Sequence, residues 1–182
     1  MILLMTLVLG VASGSSPDLV AAIEALRADN PTEWAALPTL SPVPDPHVTS
    51  PFRANRNHPV TGERRPHFGM DLRAPTGTRI RAAGDGRILS ATRTPSYGLV
   101  VDIDHGNGYV TRYAHLSEIG VQAGQRVRRG QTIGRSGTSG STTGPNLHYE
   151  IYRNQWQVDP CPFVIYRAQN AAPEPLACPT PG

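Results

Sequence analysis

Two histidines and one aspartate have the residue types and spacing of a metal site. His67 and Asp71 stand four residues apart, and His148 lies far downstream, two residues after Asn146. Imidazole and carboxylate groups bind zinc, and a catalytic zinc ion commonly takes three protein ligands and leaves a fourth position for water. Residues two apart share a face of an extended strand, and the step from His67 to Asp71 also returns to one side. The spacing therefore permits a three-ligand site, although His-x-x-x-Asp pairs also occur often as structural groups.

Short strands are the elements that we expect to position these side chains. The 182 residues include 18 glycines and 18 prolines, with only 6% aromatic residues, which favours frequent turns. Apolar and polar residues alternate in short runs from about residue 86 to 153, a period typical of half-buried strands. The predicted strands lie near 86–92, 99–104, 109–115, 126–128 and 147–153. We therefore predict a mainly β fold.

One hairpin is indicated especially clearly. Residues 100–104 and 109–115 alternate in polarity, and between them stand His105, Gly106, Asn107 and Gly108. Asn-Gly supplies the positive φ angles of a tight two-residue turn. We expect His105 to be exposed at this turn, and neither it nor His47 or His58 is given a catalytic role.

The first residues indicate export. Residues 1–12 form an apolar run followed by small residues, so residues 1–14 are predicted to be a signal peptide, and the run is too short to span a bilayer. A positively charged start is missing, which leaves a wrongly assigned start codon or a buried apolar segment as alternatives. Cys161 and Cys178 would form one disulfide in an exported protein; otherwise they are two free thiols.

The chain divides into four predicted segments. After the signal peptide, residues 15–46 hold a short helix, from about 16 to 29, and an extended linker with prolines at 38, 42, 44 and 46. This segment either spaces the domain from the membrane or crosses the cleft as a pro-segment. One domain is expected over residues 47–167, and residues 168–182 form an Ala/Pro-rich tail that is expected to be loosely ordered from Pro173.

Several further blocks surround the three candidate ligands in a fixed order. They are His58-Pro59-Val60-Thr61-Gly62, His67-x-Gly69-x-Asp71-Leu72, Ala74-Pro75-Thr76-Gly77-Thr78, Tyr113-Ala114-His115-Leu116-Ser117, Gly130-Gln131-x-Ile133-Gly134 and Thr143-Gly144-Pro145-Asn146-Leu147-His148-Tyr149-Glu150. In these blocks and their order the chain closely resembles the lysostaphin/LytM-type zinc metallopeptidases. The resemblance implies an antiparallel sheet with long loops.

The resemblance also implies roles for individual residues. His67, Asp71 and His148 fall on the family's zinc positions, and His115 falls on one of its two catalytic histidines, as a general base or an oxyanion donor. The second catalytic histidine is replaced by Asn146, whose amide donates hydrogen bonds but cannot carry a proton. Glu150 is expected either to accept a hydrogen bond from a ligand imidazole or to be a solvated strand carboxylate.

Three functions are compatible with these motifs. The first is a zinc endopeptidase that cuts peptide cross-links of bacterial peptidoglycan outside the cytoplasm. The second is an impaired domain that binds the wall or regulates hydrolases, which Asn146 favours. The third, a biotinyl or lipoyl carrier, is suggested by Gly-x-x-Val-x-x-Gly-Gln-x-Ile-Gly, but a carrier needs a lysine and all 17 basic residues are arginine.

The expected partners follow from the same residues. The lead-in at 58–62 resembles members that cut stem-peptide cross-links, so stem peptides are the expected substrate. The formal charge of +3 suits anionic wall polymers or nucleic acid, but the sequence contains no nucleic-acid motif. We expect no stable membrane span and, although the sequence leaves the oligomeric state open, a monomer.

Overall fold

The computed structural model describes residues 28–29, 31–54, 66–166 and 174–179. The predicted signal peptide (1–14) and His58 lie outside the described residues. So does the predicted helix before Asp29, except for Ala28 and Asp29, which are helical. No helix in the described ranges has the length and apolar character that a membrane span requires.

Strands make up nearly all of the regular structure in the described residues. A helix of six residues, α1 (Pro31–Ala36), comes first, and a 3-10 turn (Cys161–Phe163) lies near the end. The strands are β1 (Val48–Ser50), β2 (Met70–Arg73), β3 (Arg79–Arg81), β4 (Gly86–Thr94), β5 (Gly98–Gly106), β6 (Tyr109–Ile119), β7 (Arg126–Val127), β8 (Thr132–Ser136), β9 (Asn146–Arg153), β10 (Trp156–Val158), β11 (Ile165–Tyr166) and β12 (Glu174–Pro175).

Ten of these strands form one antiparallel sheet. Its main path runs β1-β2-β9-β6-β5-β4-β7, while β10 pairs with β9, and β8 pairs with β3 and β6. The prediction of a mainly β, antiparallel fold is confirmed, and each of the five predicted strands is present. The short strands β1, β2, β3, β8 and β10–β12 were missed because two to five residues are too few for a clear alternation.

The predicted hairpin joins β5 and β6. Gly106, Asn107 and Gly108 have φ angles of 76°, 51° and 79°, which only glycine and asparagine adopt readily. The expectation that His105 is exposed is wrong, because the residue is only 5% exposed. It precedes the turn on β5, where its Nδ1 lies 2.7 Å from the carbonyl oxygen of Asp85 and its Nε2 lies 2.7 Å from Thr111 Oγ1.

Replacing His105 with glutamine is expected to weaken the pH dependence of stability below pH 6.5. Burial lowers the pKa of His105 and Arg129 lowers it further, while the Asp85 carbonyl and the Asp85 and Asp104 charges oppose them. Below its ordinary value of 6.5 the unfolded chain takes up a proton that the folded protein does not. Stability therefore falls with pH, by at most about 1.4 kcal/mol per pH unit. Urea unfolding of both zinc-free proteins at about pH 7.5 and 5.5 tests this; equal pH slopes would contradict it.

The proline-rich segment is extended, as expected, and it packs against the domain. Val43 is 1% exposed and belongs to the hydrophobic core. Ser41 donates its backbone N–H to the Ile165 carbonyl of β11, and Arg81 of β3 donates to the Pro42 carbonyl, each over 3.0 Å. The segment therefore contributes to the same folded unit, and we propose that this unit begins before His47.

The end of the chain is fixed to the core as well. Cys161 and Cys178 form the predicted disulfide, and β12 pairs with β11. Leu176 is 7% exposed within the core, so the expectation of a loosely ordered tail is wrong for residues 174–179. The bridge spans a sequence separation of 17 residues, and closing a loop of that length stabilises a fold by about 3 kcal/mol in the chain-entropy description.

Candidate metal centre

The three candidate ligands meet at the pairing of β2 with β9. Asp71 on β2 stands directly opposite His148 on β9 in the antiparallel register. His67 lies just before β2, where its backbone exchanges two hydrogen bonds with Arg53. The structure therefore places all three predicted ligand side chains at one point, although they come from positions 81 residues apart.

The ligand atoms of these side chains converge closely. His148 Nδ1 lies 2.8 Å from Asp71 Oδ1, and His67 Nε2 lies 3.2 Å from both of these atoms. His67 Nδ1 is 2.8 Å from the Pro51 carbonyl oxygen, so Nδ1–H donates there and Nε2 is left as the metal-binding atom. His67 and His148 are each 8% exposed.

This cluster fits a zinc ion. Atoms about 2.0–2.1 Å from a tetrahedral zinc lie roughly 3.3 Å from one another, close to the observed separations. Two imidazoles and one carboxylate are also a donor set of catalytic zinc sites. In the described part of the chain, these residues form the group of three whose donor atoms all lie within 4.8 Å of one another.

The electrostatics of the cluster follow from burial and mutual contact. Burial opposes ionisation of Asp71, but hydrogen bonds from His148 and His67 outweigh it and hold the pKa of Asp71 well below its usual value. Burial also opposes the charge of His148, whereas Asp71 and Glu150 raise its pKa to about 9. Protons thus occupy the cluster strongly, and a metal ion that binds there displaces them.

Gly69 has a steric reason for its place between two ligands. A Cβ atom on this residue would lie 2.7 Å from the Tyr149 carbonyl oxygen and 2.8 Å from the His148 ring. Real Cβ contacts are longer, so any side chain here would displace the ring of a candidate ligand. The glycine of the His-x-Gly-x-Asp pattern therefore allows the backbone before β2 to approach β9.

His115 is aimed at the cluster by an irregularity in β6. Between the pairs Leu99–Leu116 and Val101–Tyr113, β6 contains one more residue than β5. His115 lies in this bulge with a left-handed φ of 61°, and such bulges redirect side chains. Its ring centroid is 5.8 Å from that of His148. The structure therefore brings the predicted acid–base histidine beside the candidate ligands.

Hydrogen bonds determine which nitrogen of His115 is basic. Nδ1 lies 2.8 Å from the Ser139 carbonyl oxygen, so it carries the proton and Nε2 carries the lone pair. Burial lowers the pKa of His115, partly offset by the Ser139 carbonyl. The neutral imidazole that a general base requires is therefore favoured near neutral pH.

Asn146 stands at the first position of β9, two residues before His148. Its Oδ1 accepts a hydrogen bond from Thr142 over 3.3 Å, and its backbone N–H donates to Gly137. An amide in this place donates or accepts hydrogen bonds but does not transfer protons.

Glu150 is buried, at 1% exposure, so the interpretation as a solvated carboxylate is wrong. Its Oε1 lies 2.9 Å from His148 Nε2, on the far side of the ring from Asp71. Burial opposes its ionisation, but hydrogen bonds from His148 and Tyr152 hold its pKa at about 2. Sequence reasoning missed two neighbours of this carboxylate, Tyr97 and Arg112, because strand register and a distant turn bring them there.

The chain resembles known peptidases in sequence. The family described as peptidase family M23 matches residues 65–160. The peptidoglycan DD-endopeptidase ShyA of Vibrio cholerae is 49% identical over 104 residues, which are 57% of this chain and 24% of that protein. The chain spans between 24% and 30% of the length of three Vibrio cholerae DD-endopeptidases that it matches, so most of each relative lies outside the similar region.

Solved structures share the fold as well. A zinc-containing peptidase from Vibrio cholerae superposes with a TM-score of 0.60 at 42% identity, covering 62% of this chain and 35% of that one. The catalytic domain of the antimicrobial peptidase lysostaphin from Staphylococcus simulans gives a TM-score of 0.57 at 28% identity, covering 65% of this chain and 91% of that one. The second comparison includes nearly a whole catalytic domain, which agrees with the lysostaphin/LytM-type resemblance of the sequence.

Proposed function

The chain belongs to peptidase family M23, and from this premise we propose that it is a zinc-dependent endopeptidase that hydrolyses peptide cross-links of bacterial peptidoglycan. The observation that carries the proposal is the convergence of His67, Asp71 and His148 beside His115, with ligand-atom separations of 2.8–3.2 Å. The similarity to peptidoglycan DD-endopeptidases supports a stem-peptide substrate.

The proposed mechanism divides the work between a metal and an imidazole. His67 Nε2, Asp71 Oδ1 and His148 Nδ1 hold the ion, which when bound supplies Lewis-acid polarisation of the scissile carbonyl and lowers the pKa of a water ligand to about 7. His115 Nε2 takes the proton of the attacking water and returns it to the leaving amine. The Ser139 carbonyl keeps His115 in the tautomer that this proton transfer requires.

We place this activity outside the cytoplasm. The Cys161–Cys178 disulfide supports that location, because disulfides persist in oxidising compartments. The wall-acting relatives support it as well. The signal peptide proposed for residues 1–14 supplies the route of export.

The proposal is tested by release of muropeptides from purified peptidoglycan. Zinc-loaded protein is expected to release cross-link cleavage products, and a chelator is expected to abolish them, with readdition of zinc restoring the activity. Chromatography and mass spectrometry of the soluble products measure this. Absence of products from folded, zinc-loaded protein would contradict an endopeptidase.

That negative result would favour a second function, a wall-binding or hydrolase-regulating domain. Asn146 is the specific observation behind it, because the resemblance implies a second catalytic histidine at this position. Sedimentation of the protein with insoluble peptidoglycan, without product release, would support this alternative.

Replacing Asn146 with histidine is expected to raise the rate of cross-link hydrolysis. The new imidazole would lie two residues from His148 on the same face of β9, where it can carry a proton. One positioned acid–base group contributes about 100-fold to 10,000-fold in rate, which sets the upper range of the gain. Initial rates on the same peptidoglycan measure the effect, with Asn146→Gln as the matched control. An unchanged rate with full zinc occupancy would show that Asn146 does not limit catalysis.

A further inference from the structure

A row of polar side chains crosses four strands of the sheet and ends beside His148. Ser90 on β4 pairs with Asp102 on β5, Asp102 pairs with Arg112 on β6, and Arg112 pairs with Glu150 on β9. Because directly opposed residues share a face, these four side chains point to one side of the sheet. We call them the polar row. It reaches His148 through Glu150, two residues further along β9.

Each member of the polar row holds the next. Ser90 Oγ donates to Asp102 Oδ2 over 3.1 Å. The Arg112 guanidinium makes two hydrogen bonds to the Asp102 carboxylate, of 2.8 and 3.0 Å, and its Nη1 lies 3.7 Å from Glu150 Oε2. A bidentate pair of this kind fixes the plane of the guanidinium as well as its position.

Two tyrosines complete the surroundings of Glu150. The Tyr97 hydroxyl donates to Oε1 over 2.8 Å, and the Tyr152 hydroxyl donates to Oε2. The Arg112 guanidinium carbon lies 4.6 Å from the Tyr97 ring centroid and 5.4 Å from that of Tyr152. The carboxylate is therefore immobilised by donors on both oxygens, and its remaining strong contact is with His148.

That contact determines which tautomer His148 adopts. A carboxylate only accepts hydrogen bonds, so the 2.9 Å contact requires a proton on His148 Nε2. Nδ1, 2.8 Å from Asp71 Oδ1, is then the nitrogen that faces the other candidate ligands. A free imidazole distributes its proton between both nitrogens and rotates, and both freedoms reduce metal affinity.

We propose that Glu150 is a positioning residue that presents His148 Nδ1 to the metal, and that Arg112, Tyr97 and Tyr152 act on the metal site through Glu150. The inference rests on the proposed zinc function. It assigns to the polar row a role in metal affinity, in addition to its part in holding four strands together.

The test is the zinc affinity of chelator-stripped protein, measured by competition with a chromophoric chelator. Glu150→Ala is expected to weaken zinc binding by about 10-fold to 100-fold. Glu150→Gln keeps an oxygen acceptor for Nε2–H, so it is expected to recover part of that loss. In the zinc-bound wild type, nitrogen-15 NMR is expected to show a slowly exchanging Nε2–H proton on His148, which the alanine variant loses.

Thr111→Val is the matched control for damage to the fold. Thr111 is a buried, hydrogen-bonded residue of β6, next to Arg112 but on the opposite face, and it should retain the zinc affinity of the wild type. If Glu150→Ala does not fold, the glutamine variant decides the question. Wild-type affinity and an unchanged Nε2–H signal in the Glu150 variants would overturn the positioning role. Failure of the wild type to bind one zinc per chain would instead overturn the proposed function.

Discussion

Replacing His148 with alanine is expected to weaken zinc binding by about 100-fold to 1,000-fold and to abolish hydrolysis. Zinc sites in small domains bind with about 10–16 kcal/mol, so each of four bonds contributes about 2.5–4 kcal/mol. The loss is expected to be at the upper end, because His148 Nδ1 contacts both Asp71 and His67 and no nearby side chain can take its place. Isothermal titration with zinc and metal analysis after dialysis measure the change.

His47→Ala is the matched histidine control for this experiment. His47 is exposed, and its contact with Arg73 uses the backbone carbonyl, which alanine keeps. The control is expected to bind zinc as the wild type does. Full zinc occupancy in His148→Ala would show that the metal site lies elsewhere or does not include β9.

Replacing His115 with alanine is expected to lower kcat by about 100-fold to 10,000-fold while zinc content stays unchanged. The His115 ring lies beside the cluster, but its hydrogen bond goes to the Ser139 carbonyl and not to Asp71 or His67. Loss of rate without loss of metal is therefore the signature of an acid–base residue. Muropeptide release and metal analysis on the same samples separate the two quantities.

The backbone at His115 requires a second variant. Its φ of 61° is left-handed, a conformation that asparagine tolerates better than alanine does. His115→Asn thus keeps the bulge of β6 while removing the titratable ring, and it is expected to lose as much activity as His115→Ala. Recovery of activity in the asparagine variant would mean that His115 supports the backbone and is not needed for proton transfer.

The sequence predicted the candidate site residues because their types and local spacing carry the information. Two histidines, an aspartate and the Tyr-Ala-His-Leu-Ser segment could be identified without coordinates, as could the alternation of β4, β5, β6 and β9. The Asn107-Gly108 turn was equally accessible, since positive φ angles are an intrinsic preference of these residues. The disulfide followed from an even number of cysteines in a chain expected to be exported.

Burial could not be predicted at two polar positions. His105 and Glu150 both lie in strands where alternation allows either an exposed or a buried polar residue. Their burial is possible because hydrogen-bond partners arrive from other strands: Asp85 and Thr111 for His105, and Tyr97 and Tyr152 for Glu150. A polar group is buried only where such partners are present.

By itself, the sequence determined which residues are chemically capable of binding zinc and moving protons, and where the long strands run. Tertiary structure decided how they meet: Asp71 opposite His148, His115 turned by a bulge, and Glu150 behind a ligand imidazole. The physical reason is that alternation and turn preference are properties of neighbouring residues. Strand pairing and register depend on hydrogen bonds between segments that are tens of residues apart.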